Sequence, residues 1–186
     1  MEARRRPSGP LFALLALLAV AAIATAACGS DEKTTSGNEG QYINAGDALY
    51  QVQLSRLMNP QDKPDDDYLR GQPVLGPGQQ YVGVFLTVEN DGKKPYVPPR
   101  DMKVVDTQGN EYLPIDVSST GFGLSFTDPI APSQRSPAAD SPAATGPEGG
   151  ALVLFRMSED SVTQNLPLDL KIPAPGGKES NIRLDL

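Results

Sequence analysis

The stretch Tyr81-Val82-Gly83-Val84-Phe85-Leu86-Thr87-Val88-Glu89-Asn90 decides the fold. Val82, Val84, Leu86 and Val88 alternate with Gly83, Phe85, Thr87 and Glu89. A period of two is the mark of a strand, because successive side chains leave a pleated backbone on opposite faces. Asn90-Asp91-Gly92 ends the run with turn chemistry. Pro95, Pro98 and Pro99 then forbid regular pairing, so a crossing loop follows. Gly76-Pro77-Gly78, just before the run, reads as a turn into the strand. It lacks the Lys-Ser/Thr pair and the helix of a phosphate loop.

The same alternation recurs on both sides. Tyr50, Val52 and Leu54 alternate with Gln51, Gln53 and Ser55. Met102 to Asp106 and Glu111 to Asp116 flank Thr107-Gln108-Gly109-Asn110 and read as a hairpin. Further apolar faces are Phe122, Leu124, Phe126; Ala151, Val153, Phe155, Met157; Leu166, Leu168, Leu170, Ile172; and Ile182, Leu184, Leu186. No long stripe with a period of 3.6 follows the N-terminal apolar run, so no major helix is expected. About eight short strands separated by turn clusters predict an all-β, antiparallel sandwich, with a small closed barrel as the alternative. One interruption stands apart. Residues 128–150 carry prolines at 129, 132, 137, 142 and 147 among Ala, Ser and Gly. That composition predicts a disordered loop between two strands.

The N-terminus is of another kind. Arg4-Arg5-Arg6 precede a run from Leu11 to Ala27 that is apolar except for Thr25. A positive segment, an apolar segment and small residues before a cut are the parts of a secretory signal. The run falls slightly short of the ~20 residues that span a bilayer. Thr25-Ala26-Ala27-Cys28 resembles the lipobox of bacterial lipoprotein precursors, with Thr where Leu is usual. The resemblance implies cleavage before Cys28 and lipid on its thiol. Two or more acyl chains give a stable anchor, since each buried methylene contributes about 0.8 kcal/mol and one chain binds only marginally. The expected organisation is a signal peptide at 1–27, a lipidated cysteine and disordered linker at 28–46, and a β-sandwich at 47–186. The linker assignment rests on residues 29–40, which hold no apolar side chain to offset the entropy of ordering.

Composition excludes several functions. The chain of 186 residues has formal charge −7, and losing Glu2 and the three arginines would leave the remainder more acidic still. Nucleic acid is therefore not an expected partner, because phosphate contact needs clustered Lys and Arg. There is one cysteine, so no internal disulfide forms, and there is no histidine. That rules out Ser-His-Asp and Cys-His nucleophile systems and zinc sites built on imidazole. Met58, Met102 and Met157 lie in or beside apolar runs and read as core.

Two groups of residues remain as candidates for binding. Asp62, Asp65, Asp66 and Asp67 are the densest charge cluster and offer oxygens for Ca²⁺. Their spacing does not match an EF-hand loop, and a solvated acidic loop is the expected reading. Tyr68 and Tyr96 fall in loops, where tyrosines commonly anchor partners, although core or edge packing is the favoured reading for each. Carboxylate pairs suited to a hydrolase are too easily found in an acidic chain to single one out. No catalytic residue, metal or cofactor is assigned.

The order of strands and turns completes the reading. Tyr50-x-Val52-x-Leu54 is followed by Gly76-x-Gly78-x-x-Tyr81-Val82-x-Val84-x-Leu86-x-Val88-x-Asn90. Met102-x-Val104-x-Asp106-x-x-Gly109-x-x-Tyr112 and Gly149-Gly150-x-Leu152-Val153-x-Phe155-x-Met157 come after it. The pattern resembles the immunoglobulin-like domains of Gram-positive and actinobacterial envelope lipoproteins, whose function is unknown. It covers about residues 47–186 and departs at 128–150, which is longer than usual. The resemblance implies an antiparallel immunoglobulin-like β-sandwich of about 7–8 strands outside the membrane and no agreed activity. The function expected is that of a non-enzymatic binding or accessory module. It would be anchored to the cell membrane through lipid on Cys28 and would meet an envelope protein or cell-wall partner. The alternative is a structural or assembly component of an envelope complex. A calcium-binding module or a carboxylate-based hydrolase ranks below both.

Overall fold

Strand β4, Gln79–Asn90, is flanked on both edges and buried on both faces over much of its length. The structure is a computed structural model that describes residues 33–186. Before β4 come β1 (Ser36–Asn38), β2 (Tyr42–Ala45), β3 (Ala48–Met58) and the single-turn helix α1 (Asp65–Tyr68). After it come β5 (Lys103–Val105), β6 (Glu111–Tyr112), β7 (Arg135–Ser136) and helix α2 (Pro142–Thr145). The chain continues through β8 (Ala151–Ser158), helix α3 (Glu159–Thr163), β9 (Leu168–Ala174) and β10 (Lys178–Leu184). The fold is an all-β sandwich of two sheets. One has the order β1-β10-β9-β5-β6. In the other β2 pairs β3, β3 pairs β4, and the far edge of β4 carries β8 and then β7. All pairings between strands are antiparallel except β1 with β10.

The alternation in β4 divides its side chains between two cores. Val82, Val84, Leu86 and Val88 face the other sheet and meet Ala151, Val153, Phe155, Leu168, Leu170 and Ile182. Tyr81 and Phe85 face outward and join Met58, Tyr68, Leu69, Val117, Leu152 and Leu154 in a second cluster. The outer face of this sheet is therefore roofed by irregular chain from residues 59–78 and 113–124. Burial against that roof is why Tyr81 and Phe85 of β4 and Leu152 and Leu154 of β8 are apolar, as in a strand covered on both sides.

Strand β3 shifts register between Val52 and Leu54, where a bulge at Gln53 intervenes. One extra residue moves every later side chain to the opposite face. Tyr50 and Val52 point into the main core. Leu54, which simple alternation assigns to that core, instead lies opposite Phe85 on the outer face and is exposed. Arg56 and Met58 follow it outward, opposite Gly83 and Tyr81.

Two expectations about irregular chain are corrected. The segment assigned to a disordered linker contains β1 and β2. Ile43 and Ala45 are fully buried in the main core, and β1 pairs with β10 through main-chain groups that need no apolar side chain. Composition is blind to such pairing. Cys28 and the signal segment lie outside the described residues. The segment 128–150 is likewise built into the fold. Ile130 exchanges two backbone hydrogen bonds with Tyr96, at 2.7 and 2.9 Å. β7 pairs with Val88 and Glu89 of β4. Ser141 Oγ caps α2 by accepting from Ala144 N, with Pro142 in the first turn. The expected hairpin forms as β5 and β6. The expected strand at 122–126 is reduced to an isolated bridge between Gly123 and Leu152.

A buried carboxylate ties the hairpin to α3. Asp106 accepts from the backbone N–H groups of Gln108 and Asn110 and from Asn110 Nδ2, Ser161 Oγ and Asn165 Nδ2. Ser161 Oγ also lies 2.7 Å from Tyr112 Oη. Burial works against the charge on Asp106. The hydrogen bonds from Ser161, Asn110 and Asn165 outweigh it and hold the carboxyl well below the usual carboxylate range.

Candidate functional site

The site grows from the bulge in β3. Because Gln53 turns the strand over, the guanidinium of Arg56 lies on the outer face, above the Phe85 ring at 5.5 Å from its centroid. Asp65, the first residue of α1, meets it side on. Arg56 Nη1 donates to Asp65 Oδ2 at 2.9 Å and Nη2 donates to Oδ1 at 2.5 Å. This is the fork geometry that Arg and carboxylate favour. Arg56 Nη2 also donates to Glu148 Oε1 at 2.9 Å. The other oxygen of Glu148 accepts from Tyr68 Oη. Four side chains from β3, α1 and the segment after α2 are thus joined in one chain of hydrogen bonds. It borders an open cleft of about 620 Å³, lined by Arg56, Asn59, Asp62, Lys63, Asp65 and Glu148 among others.

The charges in this chain are mutually satisfied. Hydrogen bonding to Asp65 raises the pKa of Arg56 further above its ordinary value. Burial pushes the Tyr68 phenol up, and Glu148 adds to the effect by hydrogen bonding and repulsion. The remaining acids of the loop pair with nearby cations. Asp66 and Asp67 face Lys63, and Asp67 also meets Arg70. The Lys63 ammonium holds the Asp66 carboxyl below its usual range. Asp62 Oδ2 accepts from Asn59 Nδ2 at 2.7 Å.

The four aspartates singled out from sequence are therefore not gathered around a common point. Among the described residues no group of three or more His, Cys, Asp or Glu is placed to hold a metal ion. Tyr68 is turned inward and packs edge-on against Phe85 and Phe122, leaving little surface for a partner. Tyr96 is half-buried, and its hydroxyl lies 2.7 Å from Tyr50 Oη. Cys28 lies outside the described residues.

Sequence reasoning passed over three residues that matter here. Arg56 reached the outer face through a bulge that no local signal marks. Glu148 sat in the segment read as disordered. Val74, in the loop before β4, is 96% exposed. It borders an apolar hollow of about 350 Å³ with Leu69, Pro73, Leu75 and Tyr81. The hollow and the cleft share Asn59, so residues 59–78 present a polar face and an apolar face at one end of the sandwich.

The chain matches no family model and no curated protein. Its outline is similar to three solved structures. An uncharacterized β-sandwich protein from Clostridium difficile is 15% identical, with 82% of this chain and 95% of that one covered and a TM-score of 0.49. The yjhA protein of Bacillus subtilis is 10% identical, with 80% and 99% covered and a TM-score of 0.47. A candidate lipoprotein of Bacillus subtilis, ycdA, is 14% identical with a TM-score of 0.45, and the match spans 80% of this chain but 39% of that one.

Proposed function

We propose that the chain is a lipid-anchored, non-enzymatic binding module of the cell envelope that recognises a protein partner through residues 59–78. The observation that carries this reading is Val74 beside its apolar hollow. A valine held in water next to an open apolar surface is an unfilled contact, and loops on a rigid sandwich commonly present such contacts. The carboxylates nearest the cleft are engaged by Arg56 and Tyr68, which supports binding rather than acid–base chemistry. The signal segment and the lipobox resemblance at Cys28 support the anchor.

An assembly role by strand addition finds less support. β2 covers β3 only as far as Gln51, which leaves the later residues of that edge without a strand. There Glu39 Oε1 accepts from Ser55 N at 2.9 Å and Asp65 Oδ2 accepts from Asn59 N at 2.8 Å. Carboxylates occupying edge N–H groups repel an incoming strand.

The test is photo-crosslinking in intact cells, with the reactive group at position 74 and, as a control, at exposed Gln108. A discrete adduct from 74 alone supports the reading. Equal adducts from both positions, or none from 74, overturn it. A Cys28→Ser chain should move from membranes to the soluble fraction. Retention in membranes would refute the anchor.

A further inference from the structure

The outer face of the β2-β3-β4 sheet carries a shallow hollow of about 220 Å³ at the end away from Arg56. Register builds its floor. Tyr42 stands opposite Gln51, and Gln51 stands opposite Thr87, so the three form one row across three strands. The bulge keeps Gln53 on this face, where its Nε2 donates to Gln51 Oε1 at 2.6 Å and to Thr87 Oγ1 at 3.4 Å. Segment 128–150 supplies the far wall through Arg135 and Pro137. We propose that this hollow binds a carboxylated glycan, with a sugar ring stacked on Tyr42 and its acid group on Arg135.

Three features of the hollow select that ligand class. Tyr42 is 56% exposed, an aromatic plate left open at the edge of the floor. A pyranose ring has an apolar C–H face that suits such a plate, and a rim of hydroxyls that must still find polar partners. The floor offers donors and acceptors interleaved. Thr87 retains its hydroxyl hydrogen, Gln53 retains Oε1, and Gln51 Nε2 has a second hydrogen beyond the one given to Gly40 O. Neighbouring strands lie about 4.8 Å apart, so the row from β2 to β4 extends roughly 10 Å, enough for two linked sugar rings. An apolar peptide side chain would find little here beyond Tyr42, Pro137 and Ala144.

Arg135 sets the charge. It is the one ionisable cation lining the hollow, in a chain of formal charge −7. It makes no ion pair among the described residues, although Glu89 is its register partner on β4. A planar guanidinium lining the same hollow as the Gln51 and Gln53 amides recognises a carboxylate in two-point fashion. The inference does not depend on the contact at Val74, which lies in a different hollow with no residue in common.

The experiment is an NMR titration of the full chain in detergent, following the side-chain amides of Gln51 and Gln53. The probe is a galacturonate hexamer. The controls are a neutral cello-hexaose and an acidic peptide of equal charge. Saturable shifts at both amides are expected with the galacturonate. Tyr42→Ala and Arg135→Gln should each weaken them roughly tenfold without changing the melting temperature, since both side chains are exposed. Absence of shifts, or shifts that survive both substitutions, would overturn the site. Equal affinity for the acidic peptide would overturn the glycan. Equal affinity for cello-hexaose would overturn the role given to Arg135.

Discussion

Replacing Asp106 by alanine tests whether one buried carboxylate holds the β5–β6 hairpin to α3. The substitution removes the acceptor for five hydrogen bonds. Gln108 and Asn110 are exposed, so their groups recover water. Ser161 is fully buried, and its hydroxyl keeps only Tyr112 and Ser158 as partners. Hydrogen bonds to a charged group contribute about 1.5–3 kcal/mol each. With about two of the five losses uncompensated, the expected cost is about 3–6 kcal/mol at pH 7. The carboxyl has a depressed pKa in the folded chain, so its contribution is complete above the ordinary Asp value near 3.9. It is lost as pH falls, because the unfolded chain then binds the proton more readily. Below pH 4 the advantage of the native chain over Asp106→Ala should shrink by about 1.4 kcal/mol per pH unit. Urea unfolding followed by far-UV circular dichroism at a series of pH values measures both quantities. A difference under about 1 kcal/mol at pH 7, or one that does not change between pH 5 and pH 3, would refute the reasoning.

Other substitutions probe the second core and its roof. Gly150→Ala places a methyl group 2.8 Å from the backbone nitrogen of Leu86, so thermal unfolding should register a loss of about 1–3 kcal/mol. Glu148→Gln removes a negative charge from the Tyr68 hydroxyl. Alkaline spectrophotometric titration should then find Tyr68 ionising at lower pH than in the native chain, though still above an ordinary tyrosine because burial remains. Since that phenol has a raised pKa, its contribution to stability is full below pH 10 and disappears as pH rises beyond it; an unmoved titration would count against the Glu148 contact. Lys63→Ala breaks exposed pairs with Asp66 and Asp67 and should leave the denaturation midpoint unchanged within error.

The sandwich was legible because its central strand carries a clean period of two, and β8, β9 and β10 repeat it. What alternation could not reveal was where it breaks. The bulge at Gln53 carries no Gly or Pro to mark it, yet it decides the face on which Arg56 stands. The roof over Phe85 was hidden for a different reason. Leu69 and Val117 come from loops without periodicity, and the alternation at Phe122 and the packing expected of Tyr68 do not say against which sheet face they close. β1 has no apolar side chain to announce a strand, and its place depends on β10 at the far end of the chain. The acidic loop was visible as charge, but pairing with Lys63, Arg70 and Arg56 is a property of three dimensions.

The parallel pairing of β1 with β10 also bears on how the fold is reached. A polypeptide leaves the ribosome from its N-terminus, and contacts between distant parts of a chain form slowly. Ser36–Asn38 must wait for Asn181–Arg183 before its hydrogen bonds exist. Glu39 waits likewise for the N–H of Asp185. Until the last residues arrive, β9 lacks its outer neighbours and one sheet stands open. β1 therefore stays unpaired until β10 has been made, and loss of β10 would leave both β1 and the outer edge of β9 without a partner.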